Sequence, residues 1–341
     1  GRAHKGRMAQ ARPDDLAAFI VRELLARFPQ IPGERVDDVI AATAFPEADQ
    51  GYNLGRVVSL LAGLPDSVPG MQLNRWCASG LEAVATAHAK VETGVADCVV
   101  AVGVESMTSI PMGGHDFAPN PTLASIHPDM YLGMGLTAEN LVDRHGISRA
   151  DQDAFALESH RRAVTAEEAG HWTAERVPYP LQDLTGIDGD VLANDEGPRG
   201  DTTLEVLGGL KPVFRQDGTI TAGNSSPLTD GAAAVLVVSD RFAEDFALPG
   251  LGRLETYATA GVAPEILGIG PVAAGPKALE RANWKEDDLQ VIELNEAVAA
   301  QSLAVIRELG LDQDRVNPQG GAIAMGHPLG CTGARLVATL L

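Results

Sequence analysis

A chain of 341 residues with 45% hydrophobic content is long enough for two ordinary domains and a sizeable core. Its 46 acidic against 26 basic residues give a formal net charge of −20, which leaves no basic face for nucleic acid or an anionic membrane surface. Three scattered cysteines, Cys77, Cys98 and Cys331, do not make a disulfide framework or a zinc site, and they point to a reducing compartment with the cytoplasm as the default.

The spacing of Leu16, Phe19, Ile20, Leu24 and Leu25 predicts an amphipathic helix over residues 14 to 28, with Asp14 and Asp15 at its positive start. A strand over Val36 to Ala42, a helix over Leu54 to Leu64 and a strand over Val68 to Leu73 follow. The run Asn74-Arg75-Trp76-Cys77-Ala78-Ser79-Gly80 then leads into a helix from Ala78 to about Val91. A thiol at that junction meets unpaired N–H groups and the positive end of the helix dipole, both of which favour the thiolate. On these residues alone Cys77 is either a reactive thiol or a small residue buried at a tight turn. Asp97 to Gly103 reads as a buried parallel strand, and the alternation of strands with helices predicts a layered α/β fold.

Residues 106 to 215 interrupt that alternation with helices over Thr137 to His145 and Arg149 to Gly170, the second opened by Ser148 as N-cap, and with a polar loop from 185 to 201. The small-residue loop Thr221-Ala222-Gly223-Asn224-Ser225-Ser226-Pro227 leads to a strand over Ala234 to Val238. Strands are also predicted over Gly252 to Ala260 and Gln290 to Leu294. The last third repeats the first: Ile292 in Gln290-Val291-Ile292 lies 252 positions after Ile40 in Asp38-Val39-Ile40. Gly333, closing Gly330-Cys331-Thr332-Gly333, lies 253 positions after Gly80, closing Cys77-Ala78-Ser79-Gly80. Two offsets that agree within one residue indicate a duplicated unit. The division read from this is a first half over 1–105, an inserted region over 106–215, a return to the first half over 216–250 and a second half over 251–341. On the same offset the first strand of the first half falls before Gly1 and the last strands of the second half fall beyond Leu341.

Two more stretches carry chemistry. Asn295-Glu296-Ala297 follows a predicted strand, where an α/β sheet presents its ligand-binding end. In Gly320-Gly321-Ala322-Ile323-Ala324-Met325-Gly326-His327-Pro328-Leu329-Gly330, glycines crowd a single histidine, so a substrate can approach the backbone while the ring moves a proton. Each stretch alone is ordinary turn chemistry. The ordered set resembles the thiolases, in particular the degradative acetyl-CoA acyltransferases (3-ketoacyl-CoA thiolases), over essentially all 341 residues.

That resemblance implies an α/β fold of two duplicated halves, layered α-β-α-β-α, with an inserted loop domain. It implies thiolytic cleavage of 3-ketoacyl-CoA by CoA, as in fatty-acid β-oxidation, through an acyl thioester on Cys77. His327 would take the thiol proton, and Asn295, through a water, would help to stabilise the thioester oxygen. Ser226, Phe214 and Met134 would meet the pantetheine and acyl parts, and Arg199 the adenine nucleotide. No metal or redox cofactor is implied; acyl-CoA and CoA are the partners, and a homodimer or homotetramer the assembly. The family's second cysteine would fall past Leu341, while Cys331 belongs to the histidine motif and is assigned, with Cys98, to packing. Gly133 stands where short-chain biosynthetic members carry histidine, which favours longer acyl chains, and Val298 stands where phenylalanine is usual. An acetoacetyl-CoA thiolase is the alternative within this chemistry, and a non-catalytic thiolase-like acyl-CoA or lipid-binding protein the alternative outside it. A ketosynthase would place a histidine where Asn295 stands.

Overall fold

A computed structural model describes all of residues 1–341. Helix α1 (Pro13–Ala26) opens the first half, with Pro13 at its first turn, where a missing N–H costs nothing. Strand β1 (Asp38–Ala42), helix α2 (Leu54–Leu61), strand β2 (Gly70–Leu73), helix α3 (Ser79–Glu92) and strand β3 (Cys98–Ser106) follow in the predicted order. The strands form one sheet in the order β2-β1-β3-β6, closed by β6 (Asp230–Val238); β1 runs parallel to β2 and β3, and β6 runs antiparallel to β3. Every residue of β1 and β3 is buried, which explains why both read as unbroken apolar runs.

Side chains alternate across the pleat and so serve two cores. Val39, Ala41, Val100, Val102 and Val104 meet Leu16, Ala17 and Val21 of α1 and Leu54 and Val58 of α2. Ile40, Ala42, Val99 and Ala101 meet Ala83, Val84 and Ala87 of α3 on the other face. The insertion carries α4 (Pro121–Ile126), α5 (Met134–His145) and α6 (Arg149–Glu168), whose N-cap Ser148 accepts the Asp151 N–H at 3.0 Å. Beyond these lie a small antiparallel pair, β4 (Tyr179–Pro180) with β5 (Val191–Leu192), and the short helices α7 (Gln182–Thr185) and α8 (Leu204–Gly208). Part of the stretch expected as a polar loop is therefore the end of a hairpin.

The rest of the chain holds α9 (Asp240–Asp245), α10 (Gly270–Ala282), α11 (Ala299–Leu309), α12 (Ala322–Met325) and α13 (Leu329–Leu340). The two strands expected here do not form ladders. Segment 251–260 is irregular, and its Tyr257 carbonyl accepts from the Arg281 side chain rather than from a neighbouring strand. The segment 290–294 has one parallel bridge, Ile292 to Val316, with Asn317 clamping Leu294 N–H and C=O at 2.8 Å each. A β-rich sequence becomes a strand only where a second backbone lies alongside it. No helix is long and apolar enough to cross a membrane.

The duplication has a direct physical result, because the counterpart helices α3 and α13 pack against each other through their related glycines. A Cβ on Gly80 would stand 2.6 Å from Ala334 N and 2.7 Å from the Gly330 carbonyl oxygen, and a Cβ on Gly333 would overlap Leu81 N. The contact is reciprocal, as a two-fold relation demands. Gly333→Ala is expected to force the helices apart and lower stability by about 1–3 kcal/mol, the usual cost of overpacking. A urea unfolding midpoint equal to that of the unaltered chain would contradict this packing.

Candidate active site

Both chemical loops begin at the start of one of these two helices. On the α3 side, Trp76 is held at φ 50°, an uncommon conformation for a non-glycine residue. Its backbone N–H donates to Asn74 Oδ1 at 2.7 Å, and the Ser79 hydroxyl donates to its carbonyl at 2.6 Å while accepting the Arg75 N–H at 2.7 Å. Asn74 Nδ2 in turn donates to the Ala44 carbonyl at 2.9 Å, which seats the turn on the loop after β1. Cys77 emerges half-buried, packed against the apolar cluster of Ala3, Ala44, Phe45, Met107, Ile110 and Leu329. The thiolate expected from a helix start is absent at rest: burial, then the nearby Glu105 carboxylate, push the thiol up to about 12, against the smaller pull of its own backbone N–H. Desolvation here outweighs the helix end.

On the α13 side, Gly326 has φ 108° and ψ 161°, a region essentially confined to glycine, and it turns the chain out of α12 into His327. His327 is 3% exposed, and its N–H donates to Thr229 Oγ1 at 3.1 Å. Thr332 Oγ1 donates to the Pro328 carbonyl at 3.1 Å, so it accepts from His327 Nδ1–H at 2.6 Å. Nε2 is then the unprotonated nitrogen, and it accepts from Asn295 Nδ2 at 3.2 Å. Burial, with a smaller contribution from Arg335, pulls His327 down to about 3 and keeps it neutral. Asn295 Oδ1 is buried without a partner.

The structure therefore joins Asn295 to His327 directly and packs Cys77 against a cluster that includes Leu329, two residues beyond that histidine. Ser226 lies beside them: its N–H and hydroxyl both donate to the Ala297 carbonyl, at 3.0 and 2.9 Å, and so fix the Asn295 loop. The half-exposed Phe214 ring covers Gly135, and the Met134 methyl lies against Gly268. Arg199 is exposed, its N–H donating to His160 Nδ1 at 3.2 Å. Cys98 and Cys331 are buried in packing. A groove of about 1120 Å³ along β6 and α13 borders Pro328 and Thr332 but is lined by none of Cys77, Asn295 and His327.

Sequence reasoning missed the groups that hold these loops. Glu296, 2% exposed, accepts from Ser159 Oγ at 2.7 Å, Asn317 Nδ2 at 2.9 Å and Ile323 N–H at 3.1 Å, joining the Asn295 loop to α6 and to the histidine loop. Glu105 ties Thr43, Ala44, Gln50 and Gly330 together. The available signal was a carboxylate standing inside or directly after an apolar strand, where it needs donors supplied by distant residues.

A cysteine at one helix start, with a neutral histidine and a hydrogen-bonded asparagine presented from a second, related half, is the equipment of an acyl-transferring enzyme that works through a thioester. Residues 1–241 match the description "Thiolase, N-terminal domain" and residues 248–341 "Thiolase, C-terminal domain", and the chain belongs to the thiolase family of acyltransferases. A 3-ketoacyl-CoA thiolase of Bacillus subtilis is 46% identical over 100% of this chain and 89% of its own length. A beta-ketoadipyl-CoA thiolase of Pseudomonas knackmussii is 47% identical over 98% of this chain and 87% of its own. The dimeric peroxisomal thiolase of Saccharomyces cerevisiae superposes with a TM-score of 0.93 at 39% identity, over 100% of this chain and 87% of that one.

His327 adds a pH signature. The unfolded chain binds a proton at 6.5 that the native site refuses until about 3, so stability falls as pH falls through that window. The thermal midpoint should drop more steeply on acidification from 6.5 toward 3 in the unaltered protein than in His327→Gln; equal slopes would contradict the buried neutral ring.

Proposed function

We propose that the protein is a 3-ketoacyl-CoA thiolase acting through an acyl thioester on Cys77. The observation that carries this reading is the Asn295–His327–Thr332 chain, which holds a neutral His327 ring with Nδ1 protonated, so that Nε2 can take a proton once it releases the Asn295 N–H. With the thiol near 12 and the histidine near 3, the resting pair is neutral, so the proton leaves Sγ as the sulfur attacks. Sγ bonds to the 3-keto carbon of the substrate, its proton passes to His327 Nε2, and the bond between carbons 2 and 3 breaks with its electrons on carbon 2. The resulting acetyl-CoA enolate takes up at carbon 2 the proton that His327 received from the thiol, and acetyl-CoA leaves. The thiol of CoA then attacks the acyl-Cys77 carbonyl, its proton passing through His327 to the departing Cys77 Sγ, and the shortened acyl-CoA leaves. A water donating to the unpartnered Asn295 Oδ1 would complete a site for the thioester oxygen. Ser226, Met134, Phe214 and Arg199 are assigned to the pantetheine, acyl and nucleotide parts of the ligand by family resemblance, and a dimer is the assembly expected from the yeast relative.

Brief exposure to acetyl-CoA or a 3-ketoacyl-CoA is expected to add one acyl mass to Cys77, with no adduct in Cys77→Ser and about 10²–10⁴-fold slower acylation in His327→Ala. A folded, unaltered protein that takes up no acyl group would overturn the reading. Relative turnover of four-carbon, long-chain and ω-carboxylated 3-ketoacyl-CoA separates the proposed β-oxidation role from an acetoacetyl-CoA or beta-ketoadipyl-CoA preference.

A further inference from the structure

We propose that Glu105 is a positioning residue for this chemistry: one oxygen of its buried carboxylate bridges the loop beneath the nucleophile's turn and the first turn of the helix after the histidine, and thereby sets the separation of Cys77 and His327. Glu105 stands near the carboxyl end of the central strand β3 and is 1% exposed. Its Oε2 accepts the Ala44 N–H and the Gly330 N–H, each at 2.7 Å. Ala44 is the residue whose carbonyl seats Asn74 and hence the Cys77 turn. Gly330 lies three residues after His327 in the first turn of α13. The bridge thus runs from one half of the duplicated fold to the other through a single oxygen.

The site is built for that contact. A Cβ at position 330 would overlap Thr43 Cα and stand 2.9 Å from Oε2, so only glycine lets the carboxylate reach this backbone. The other oxygen, Oε1, accepts from Thr43 Oγ1 at 2.9 Å and Gln50 Nε2 at 2.7 Å. Gln50 is itself fully buried and oriented by accepting the Ser106 N–H at 2.6 Å. Thr43 Oγ1 accepts from Gln50 at 3.0 Å, so its proton points to Glu105. Every partner of the carboxylate is a donor, and none asks it for a proton. A buried acceptor that collects donors from two loops holds them at a fixed distance, and acyl transfer is sensitive to displacements of about 1 Å.

The role rests on the thiolase reading, but its test separates the two. Unaltered protein, Glu105→Gln, Thr43→Val and the core control Val100→Ala are treated with 1,3-dibromoacetone, which joins a thiol to an imidazole with loss of two bromides and requires no acyl-CoA. The same four proteins are scored for the rate of Cys77 acetylation by acetyl-CoA and for KM. Glu105→Gln is expected to lower the Cys77–His327 bridged peptide at least tenfold and acetylation about a hundredfold, with KM within threefold. Val100→Ala and Thr43→Val, which leave the Oε2 bridge in place, are expected to stay within threefold on all measures. Bridging in Glu105→Gln equal to that in Val100→Ala would overturn the positioning role. So would a loss of bridging in Thr43→Val of tenfold or more, a result that can be read even if Glu105→Gln does not fold. Absence of acetylation in the unaltered protein, with the bridging differences intact, would sink the acyl-CoA reading alone.

Discussion

The contact on which the site depends is the backbone-to-backbone approach of α3 and α13 at Gly80 and Gly333. Helices with ordinary side chains pack about 8–10 Å apart, and glycines at the crossing allow less. Cys77 precedes the first helix and His327 the second by only two residues each, so the crossing delivers nucleophile and base to one place from opposite halves of the chain. Neither half holds the chemistry alone. The duplication supplies two helix starts, and the divergence between them, cysteine in one and a histidine motif in the other, supplies two different roles.

Around that crossing, buried carboxylates hold loops that no ladder could hold. Glu105 and Glu296 secure the loops at the reaction centre. Glu139 accepts the Thr219 and Ile220 N–H groups, Asp153 meets Arg149 and Asn224, and Asp230 accepts from Ser106 and Thr108. Burying such groups is costly unless donors surround them, and here backbone N–H groups and neutral side chains are the usual donors. This is why the strongly acidic composition does not all lie on the surface.

Electrostatically the centre is set for neutrality. Burial around Cys77 and His327 disfavours charge on either, which favours a neutral pair before substrate arrives. Charge then develops only as the acyl carbon is attacked, which is when donors at its oxygen become effective.

Much of this was legible in the sequence. Unbroken apolar runs and period-3.6 patterns located the first-half strands and helices within a few residues, because the strands β1 and β3 are buried on both faces and the helices on one. The 253-residue offset between Gly80 and Gly333 announced the duplication, and the motifs named Cys77, Asn295 and His327. Three things lay outside its reach. The β-rich stretches 252–260 and 290–294 remained unladdered, since pairing depends on a neighbour and not on composition. The protonation of Cys77 stayed open, since local helix geometry argues for a thiolate while burial, a property of the assembled molecule, argues against it. Glu105, Asn317 and Thr332 went unnoticed, since each is defined by partners far away in the chain or by a hydrogen bond whose direction no spacing encodes. The sequence by itself determined which chemical groups the protein carries and that they sit on two copies of one unit. The tertiary structure decided their charge states and their mutual approach, because desolvation and hydrogen-bond direction exist only once the two halves are packed.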